Sequence, residues 1–412
     1  MSALAVSHVY PLGSRLNERG RLEVGGCDVV ELAAEFGTPA YVYAEDDMRS
    51  RARAFVEALR ARTEQFEVIY ASKAFPCAAT FRLFAEEGLS ADVASGGELH
   101  LALAGGMDPA RLYMHGNNKS QADLDYAIES GIGHIVVDSF DEIERLRGRG
   151  RRVLLRVTPG IEPSTHEFIR TGQVDSKFGF QMDEVERAVA ACADAGLELR
   201  GLHAHIGSQI LEVEVFARLG ELLASMGDWP LLNLGGGLGI AYTAEDTPPS
   251  IEDYVGALVT HAPDGVTLLC EPGRALVGSA GVTLYTVGTV KRIEGIRTYV
   301  AVDGGMSDNL RPALYGARYE AVIADRAGAA PDTVATIAGM HCESSDMLVR
   351  DARLAAPRVG DVLVTPATGA YGYAMANNYN AVPRPPVVFC RDGDARVVVR
   401  RETFDDLTLR DL

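Results

Sequence analysis

Phe66-Glu67-Val68-Ile69-Tyr70-Ala71-Ser72-Lys73-Ala74 is a β-branched and aromatic run that ends in a lysine, and Pro76 then forbids the strand from continuing. The run therefore places an amine at the C-terminal edge of a strand. Taken alone, such a lysine only ends a strand in solvent. What surrounds it decides whether it does more.

Downstream, strand-like runs recur at 89–94, 112–115, 135–138, 153–157, 201–206, 231–234 and 267–271. Amphipathic helical stretches separate most of them, for example 78–87, 121–130, 182–195 and 213–226. Eight short strands alternating with helices predict an α/β fold, a (β/α)8 TIM barrel, with an open doubly wound sheet as the alternative. The unusual residues favour the barrel, because they fall at strand ends: Lys73 follows the first, Asp92 and Ser95 close the second, and His115, Gly116 and Asn117 end the third. Arg156 lies in the fifth, His203 and His205 end the sixth, Gly235-Gly236-Gly237 follows the seventh, and Glu271-Pro272-Gly273-Arg274 follows the eighth. In a barrel all of these meet at one mouth, the catalytic face.

The flanks read differently. Residues 1–44 show strands and turns, with a hairpin arm at 20–26 and a strand at 39–43, before Asp46-Asp47 caps a helix running to about Arg60. After Arg274 alternating β-branched strands appear at 282–287, 298–302, 333–337, 362–365 and 395–400, as in an antiparallel sandwich or barrel-like β domain. The expected division is a β domain from both chain ends, 1–44 and 280–412, around a barrel at 45–279.

The chain has 412 residues, 47% hydrophobic and 23% charged, enough for a large core. A net charge of -18 argues against nucleic acid or an acidic membrane surface as partner. No apolar run is long enough to span a bilayer, and residues 1–10 lack the basic flank and apolar core of a secretion signal, so a cytoplasmic protein is expected. Cys27, Cys77, Cys192, Cys270, Cys342 and Cys390 are scattered without a CxxC, which suggests neither a zinc knuckle nor a disulfide framework.

Gly235-Gly236-Gly237-Leu238-Gly239 after a strand lets backbone N–H groups close on an anion. It is not the dinucleotide fingerprint, whose third glycine would fall at Ile240, nor a Walker loop. A lysine, a phosphate cradle and the carboxylate of Glu271 at one mouth read as three anchors of pyridoxal 5'-phosphate: aldehyde, phosphate and pyridine nitrogen. A lysine buried near cations would have the lowered pKa that frees its amine. His203-Ala204-His205 offers a rival, since alternate strand residues share a face and can bind a metal as in barrel hydrolases. No further histidine set stands at the other strand ends, and His166-Glu167 lacks a zincin's second histidine. The preferred reading has no metal, with His205 as a flat ring stacked on the cofactor and His203 beside it.

Tyr70-Ala71-Ser72-Lys73-Ala74, Ala91-Asp92-Val93-Ala94-Ser95-Gly96-Gly97-Glu98-Leu99, His115-Gly116-Asn117-Asn118-Lys119-Ser120, His203-Ala204-His205-Ile206-Gly207-Ser208-Gln209, the triple glycine, Glu271-Pro272-Gly273-Arg274, Cys342-Glu343-Ser344-Ser345-Asp346 and Gly369-Ala370-Tyr371 together resemble the diaminopimelate decarboxylases. That family belongs to the alanine-racemase-like, ornithine-decarboxylase-like (fold type III) pyridoxal-phosphate proteins. The resemblance covers nearly the whole chain. It implies that Lys73 carries the cofactor, His205 stacks on its ring, Glu271 pairs with the pyridine nitrogen, and Ser208 with Gly235, Gly236 and Gly237 binds the phosphate, with Tyr371 nearby and Asp92 also at the cofactor. Arg274, Arg311 and Tyr315 would grip the distal carboxylate of meso-diaminopimelate, as forked guanidinium bonds suit a carboxylate, with Tyr371 also a substrate-binding residue. Glu343 would meet the distal ammonium. Cys342, with Lys73 and His205, would complete the catalytic set. Cys342 and Glu343 resemble residues supplied across a dimer interface, so the resemblance implies a homodimer with shared active sites.

Two positions depart from the family's pattern: Arg170, before Thr171-Gly172, stands where relatives often carry a small polar residue, and Ser72 where they often carry valine or alanine. The nearest alternative is a decarboxylase of the same fold acting on ornithine, lysine, arginine or a carboxyalkyl polyamine, against which Cys342-Glu343 with Arg311 argues. A racemase would pair the pyridine nitrogen with arginine. A non-catalytic pyridoxal-phosphate-binding protein would keep Lys73 and lose the substrate grip, and a metal-dependent barrel hydrolase is the outsider.

Overall fold

The computed structural model describes residues 6–161 and 175–412. His166, Glu167, Arg170, Thr171 and Gly172 lie outside the described residues. The chain forms two units, one of Arg49–Ile240 with Thr247–Leu276, the other of the residues up to Met48 with Ala241–Asp246 and Val277–Leu412.

The first unit is a closed ring of eight parallel strands: β1 (Phe66–Ala71), β2 (Ser90–Val93), β3 (Leu112–Met114), β4 (His134–Val137), β5 (Arg152–Thr158), β6 (Glu198–His203), β7 (Leu231–Asn233) and β8 (Thr267–Cys270). The ring closes where Leu268 and Cys270 of β8 pair with Phe66 and Val68 of β1. These strands are continuous buried runs rather than alternating ones because helices cover the sheet outside and side chains fill it inside. Ile69, Tyr113, Val136, Leu154 and Leu269 form one cluster contributed by five strands. Burying each such side chain stabilises the ring by about 1.5–3 kcal/mol.

Serines turn strand ends into helix starts. The side chains of Ser95, Ser120 and Ser139 accept from the backbone N–H groups of Glu98, Asp123 and Glu142, at the helices Gly96–Ala104, Gln121–Glu129 and Phe140–Arg145. Each cap is worth about 1 kcal/mol. Ser95 thus has a structural task at the mouth. The helix expected to be capped by Asp46-Asp47 is Glu45–Arg60, so both aspartates lie inside its first turn, where they complement the macrodipole.

The second unit carries a small sheet of Arg15–Leu16, Leu22–Val24 and Cys27–Asp28, and a nine-stranded sheet whose main path runs Met347–Leu354, Thr333–Ala338, Arg297–Val302, Gly281–Ile293, Ala40–Ala44, Val387–Arg391 and Asp394–Val399. The sheet is mixed rather than purely antiparallel. Ala40–Ala44 pairs in parallel with Val387–Arg391, and Arg297–Val302 with Thr333–Ala338. No tight hairpin joins either pair, so no turn imposes antiparallel direction. Val29–Phe36, read from sequence among strands and turns, is a helix. Asp28 caps it by accepting from Val30 and Glu31 N–H, which overrides the β-branched start.

Among the described residues no helix is long and apolar enough to cross a membrane.

Candidate active site at the C-terminal rim of the barrel

Glu271 leaves the end of β8 and is 7% exposed. A buried carboxylate needs partners, and three come from other strands. Asn233, ending β7, donates from Nδ2 to Oε1 at 2.7 Å, and His203, ending β6, sets Nε2 3.1 Å from Oε2. His115, just after β3, brings Nε2 within 2.9 Å of Oε1. Burial opposes charge on Glu271, but the two imidazoles outweigh it and hold the carboxyl well below the usual range. Burial also pushes His203 down to about 4 and lowers His115, against the pull of Glu271. Among the described residues His115, His203 and Glu271 form a group of three side chains of metal-ligating type, their ligand atoms within 4.8 Å of one another.

This network predicts a pH dependence. The folded pKa of His203 is depressed, so between about 6.5 and about 4 the unfolded chain binds a proton that the folded chain does not. Stability is lost as the pH falls through that window. His203→Gln should flatten this part of the Tm-against-pH curve while leaving the contribution of His134, also pushed down to about 4. An unchanged slope would mean that His203 titrates in the folded protein.

Lys73 sits in a single turn, Ser72–Ala74, directly after β1. Asp92, ending β2, holds that turn by accepting from Ser72 N–H at 3.1 Å, and Ala71 N–H donates to Pro272 O at 3.1 Å. The rim loops of β1, β2 and β8 are thereby tied together around the lysine. Lys73 itself is exposed, contrary to the expectation that its side chain is buried, because it projects from a turn beyond the strand. Its charge reaches both Asp92 and His205. Burial raises the Asp92 carboxyl well above its usual range, the charge of Glu271 adds to this, and Lys73 opposes it. Burial, with the charges of Lys73 and Arg156, keeps His205 neutral.

The glycine turn is sterically obligatory. A Cβ at Gly236 would lie 2.0 Å from the carbonyl oxygen of Glu271, and Gly235 and Gly237 have φ of 64° and 123°. Bare backbone therefore lines the rim beside Glu271. Not all of its amides point outward, as the sequence reading had them: Gly235 N–H donates to Asn233 Oδ1 at 2.9 Å, and Gly236 N–H to His205 Nδ1 at 3.2 Å. That second bond leaves the His205 proton on Nε2 and fixes the ring. Beside the turn, the Arg274 guanidinium donates to Ser208 Oγ from Nη2 at 2.9 Å and from Nε at 3.3 Å. An amine, a buried ionised carboxylate, a neutral imidazole and a glycine turn with a serine and an arginine fit pyridoxal phosphate.

The remaining expected residues lie in the β unit. Arg311 and Tyr315 bound the short helix Arg311–Tyr315, and the charge of Arg311 reaches Tyr371. Glu343 is exposed and accepts from Tyr379 Oη, and the neighbouring Cys342 is exposed. A cavity of about 570 Å³ in this unit is walled by Tyr319, Arg350 and neighbouring residues, but by none of the residues that the family pattern assigns to substrate or cofactor. Sequence reasoning missed Asn233 altogether and gave His115 and His203 no role. Their position at strand ends was the available signal. Around Arg311 it missed Tyr242 and Tyr319.

Residues 45–278 match the family model described as the pyridoxal-dependent decarboxylase, pyridoxal binding domain. The chain is 47% identical to a diaminopimelate decarboxylase of Bacillus subtilis (strain 168), over 97% of each chain. It is 46% identical to that of Halalkalibacterium halodurans, again over 97% of each. A crystal structure of diaminopimelate decarboxylase from M. jannaschii, in co-complex with L-lysine, is 33% identical and superposes with a TM-score of 0.90 over 97% of each chain.

Proposed function

The chain belongs to the diaminopimelate decarboxylase family of pyridoxal-dependent decarboxylases, and from that premise we propose that it releases carbon dioxide from meso-2,6-diaminopimelate to leave L-lysine, the last step of lysine biosynthesis. The observation that carries this reading is the buried Glu271 carboxyl, held by Asn233 and two histidines on the same rim as Lys73. Bound pyridoxal phosphate supplies a protonated ring that accepts the electron pair left when the carboxylate departs.

The chain's own groups do the rest. Lys73 would hold the cofactor through its amine, and Glu271 would hold the pyridine nitrogen in its protonated form. His205, fixed by Gly236 N–H, offers a flat neutral face for stacking. Ser208, Gly237 and the bare backbone of Gly235 and Gly236 receive the phosphate, with Asp92 bracing the Lys73 turn and Tyr371 adding a hydroxyl. Arg274, Arg311 and Tyr315 bind the distal carboxylate, and Glu343 the distal ammonium. Support for Arg311 is its burial, 7% exposed, with no carboxylate in ion-pair range among the described residues.

We place Cys342 with Lys73 and His205 in the catalytic set. Its exposure together with that of Glu343 supports their delivery to a partner's site in a homodimer. Six free cysteines, five of them buried, accord with a cytoplasmic protein. The test is carbon dioxide release from meso-diaminopimelate, with none from L-lysine or L-ornithine. Release from either of those would favour the related basic-amino-acid decarboxylases. Arg311→Ala should raise KM for diaminopimelate by about 10- to 100-fold, the loss of a charge-assisted pair. An unchanged KM would remove Arg311 from the substrate site.

A further inference from the structure

Arg311 is bound differently from the buried cations Lys119 and Arg156. Lys119 Nζ meets Glu142 at 2.7 Å and Arg156 lies 3.8 Å from Asp138, so each has a carboxylate. Arg311 has two tyrosines instead. Its guanidinium carbon stands 4.6 Å from the Tyr242 ring centroid and 5.6 Å from that of Tyr319. Its Nη1 donates to Tyr319 Oη, its only hydrogen bond among the described residues. The two rings meet edge to face, 5.3 Å apart at 83°, and both are buried. A π face attracts a desolvated cation and sets its plane, yet it carries no net charge. Among the described residues, most of the five guanidinium donors thus remain available to a ligand and no carboxylate neutralises the charge.

We propose that Tyr242 and Tyr319 are positioning residues that orient the Arg311 guanidinium without neutralising it, so that its fork is pre-set for the distal carboxylate of the substrate. This rests on the assignment of Arg311 to that carboxylate. A carboxylate in place of either ring would pair with Arg311 and compete with the ligand, whereas the aromatic pair removes the conformational freedom that binding would otherwise have to remove. Tyr242 belongs to Ala241–Asp246, the segment that leaves the glycine turn and joins the β unit.

The test compares Tyr242→Phe, Tyr242→Leu, Tyr319→Phe and Arg311→Ala in the cofactor-loaded enzyme. KM for meso-diaminopimelate should rise about tenfold for Tyr242→Leu, which removes the π face, and about three- to tenfold for Tyr319→Phe, which removes only the hydroxyl. Tyr242→Phe should stay within about twofold of the parent because the ring is retained, and kcat should change little in all three. By calorimetric titration, Tyr242→Leu should weaken L-lysine, which carries a carboxylate, and leave cadaverine, which lacks one, unchanged.

Equal weakening of both ligands, or KM unchanged in Tyr242→Leu and Tyr319→Phe while Arg311→Ala raises it, would overturn the proposal and leave the proposed function standing. An unchanged KM in Arg311→Ala would instead overturn the assignment beneath it. Tyr319→Phe is nearly isosteric, so the comparison survives if Tyr242→Leu does not fold.

Discussion

Lys73→Ala is expected to abolish carbon dioxide release from meso-diaminopimelate, lowering kcat by at least about 10⁴-fold, a modest part of the acceleration enzymes supply. Among the described residues the charge of Lys73 reaches Asp92 and His205, whereas Lys119, near His115, is buried and committed to Glu142 and two backbone carbonyls. The wild-type protein should absorb in the visible and lose that band on borohydride treatment, with cofactor retained covalently at residue 73. The alanine variant should bind cofactor only reversibly and show no covalent label. Stability should change little, because Lys73 is exposed and its turn is held by the backbone bond from Ser72 to Asp92 rather than by the lysine side chain. Undiminished turnover in the variant would end the proposed mechanism.

Glu271→Gln is expected to have the second largest effect, a fall in kcat of about 10²- to 10³-fold, the scale of losing one preorganised electrostatic group. The substitution keeps shape and removes charge. Around the wild-type carboxylate, Asn233 donates to Oε1 and His203 faces Oε2, an arrangement that wants an acceptor on both sides. A glutamine must turn its NH2 toward one of these donors, so a stability loss of about 1–3 kcal/mol should accompany the kinetic one. Two signatures separate the effects. The residual rate should rise as the pH falls, since solution must then supply the proton that Glu271 otherwise holds, and covalent labelling at Lys73 should persist. A kcat near that of the wild type would show that Glu271 does not govern the electron-accepting ring.

Much of the fold was legible because its signals are local. The eight barrel strands appear within a few residues of where the β-branched runs and turn residues put them, and β1 coincides with 66–71. Lys73, Asp92, His205 and Glu271 stood out as chemically active types at strand ends. Less legible were features that depend on partners distant in the chain: the helix Val29–Phe36, whose Asp28 cap competes with β-branched residues, and the parallel pairing of Ala40–Ala44 with Val387–Arg391.

By itself, then, the sequence determined which backbone segments become strands, where glycine is compulsory, and which amine and carboxylate stand at strand ends, since periodicity and turn chemistry act over a few residues. Only the tertiary structure decided that His115, Asn233 and His203 surround Glu271, that Gly236 steers His205, and that Arg311 rests on two tyrosines instead of a carboxylate. Ring closure brings residues from separate strands within 3 Å or so of one another, and burial there sets their charges. Neither effect is carried by any short stretch of chain.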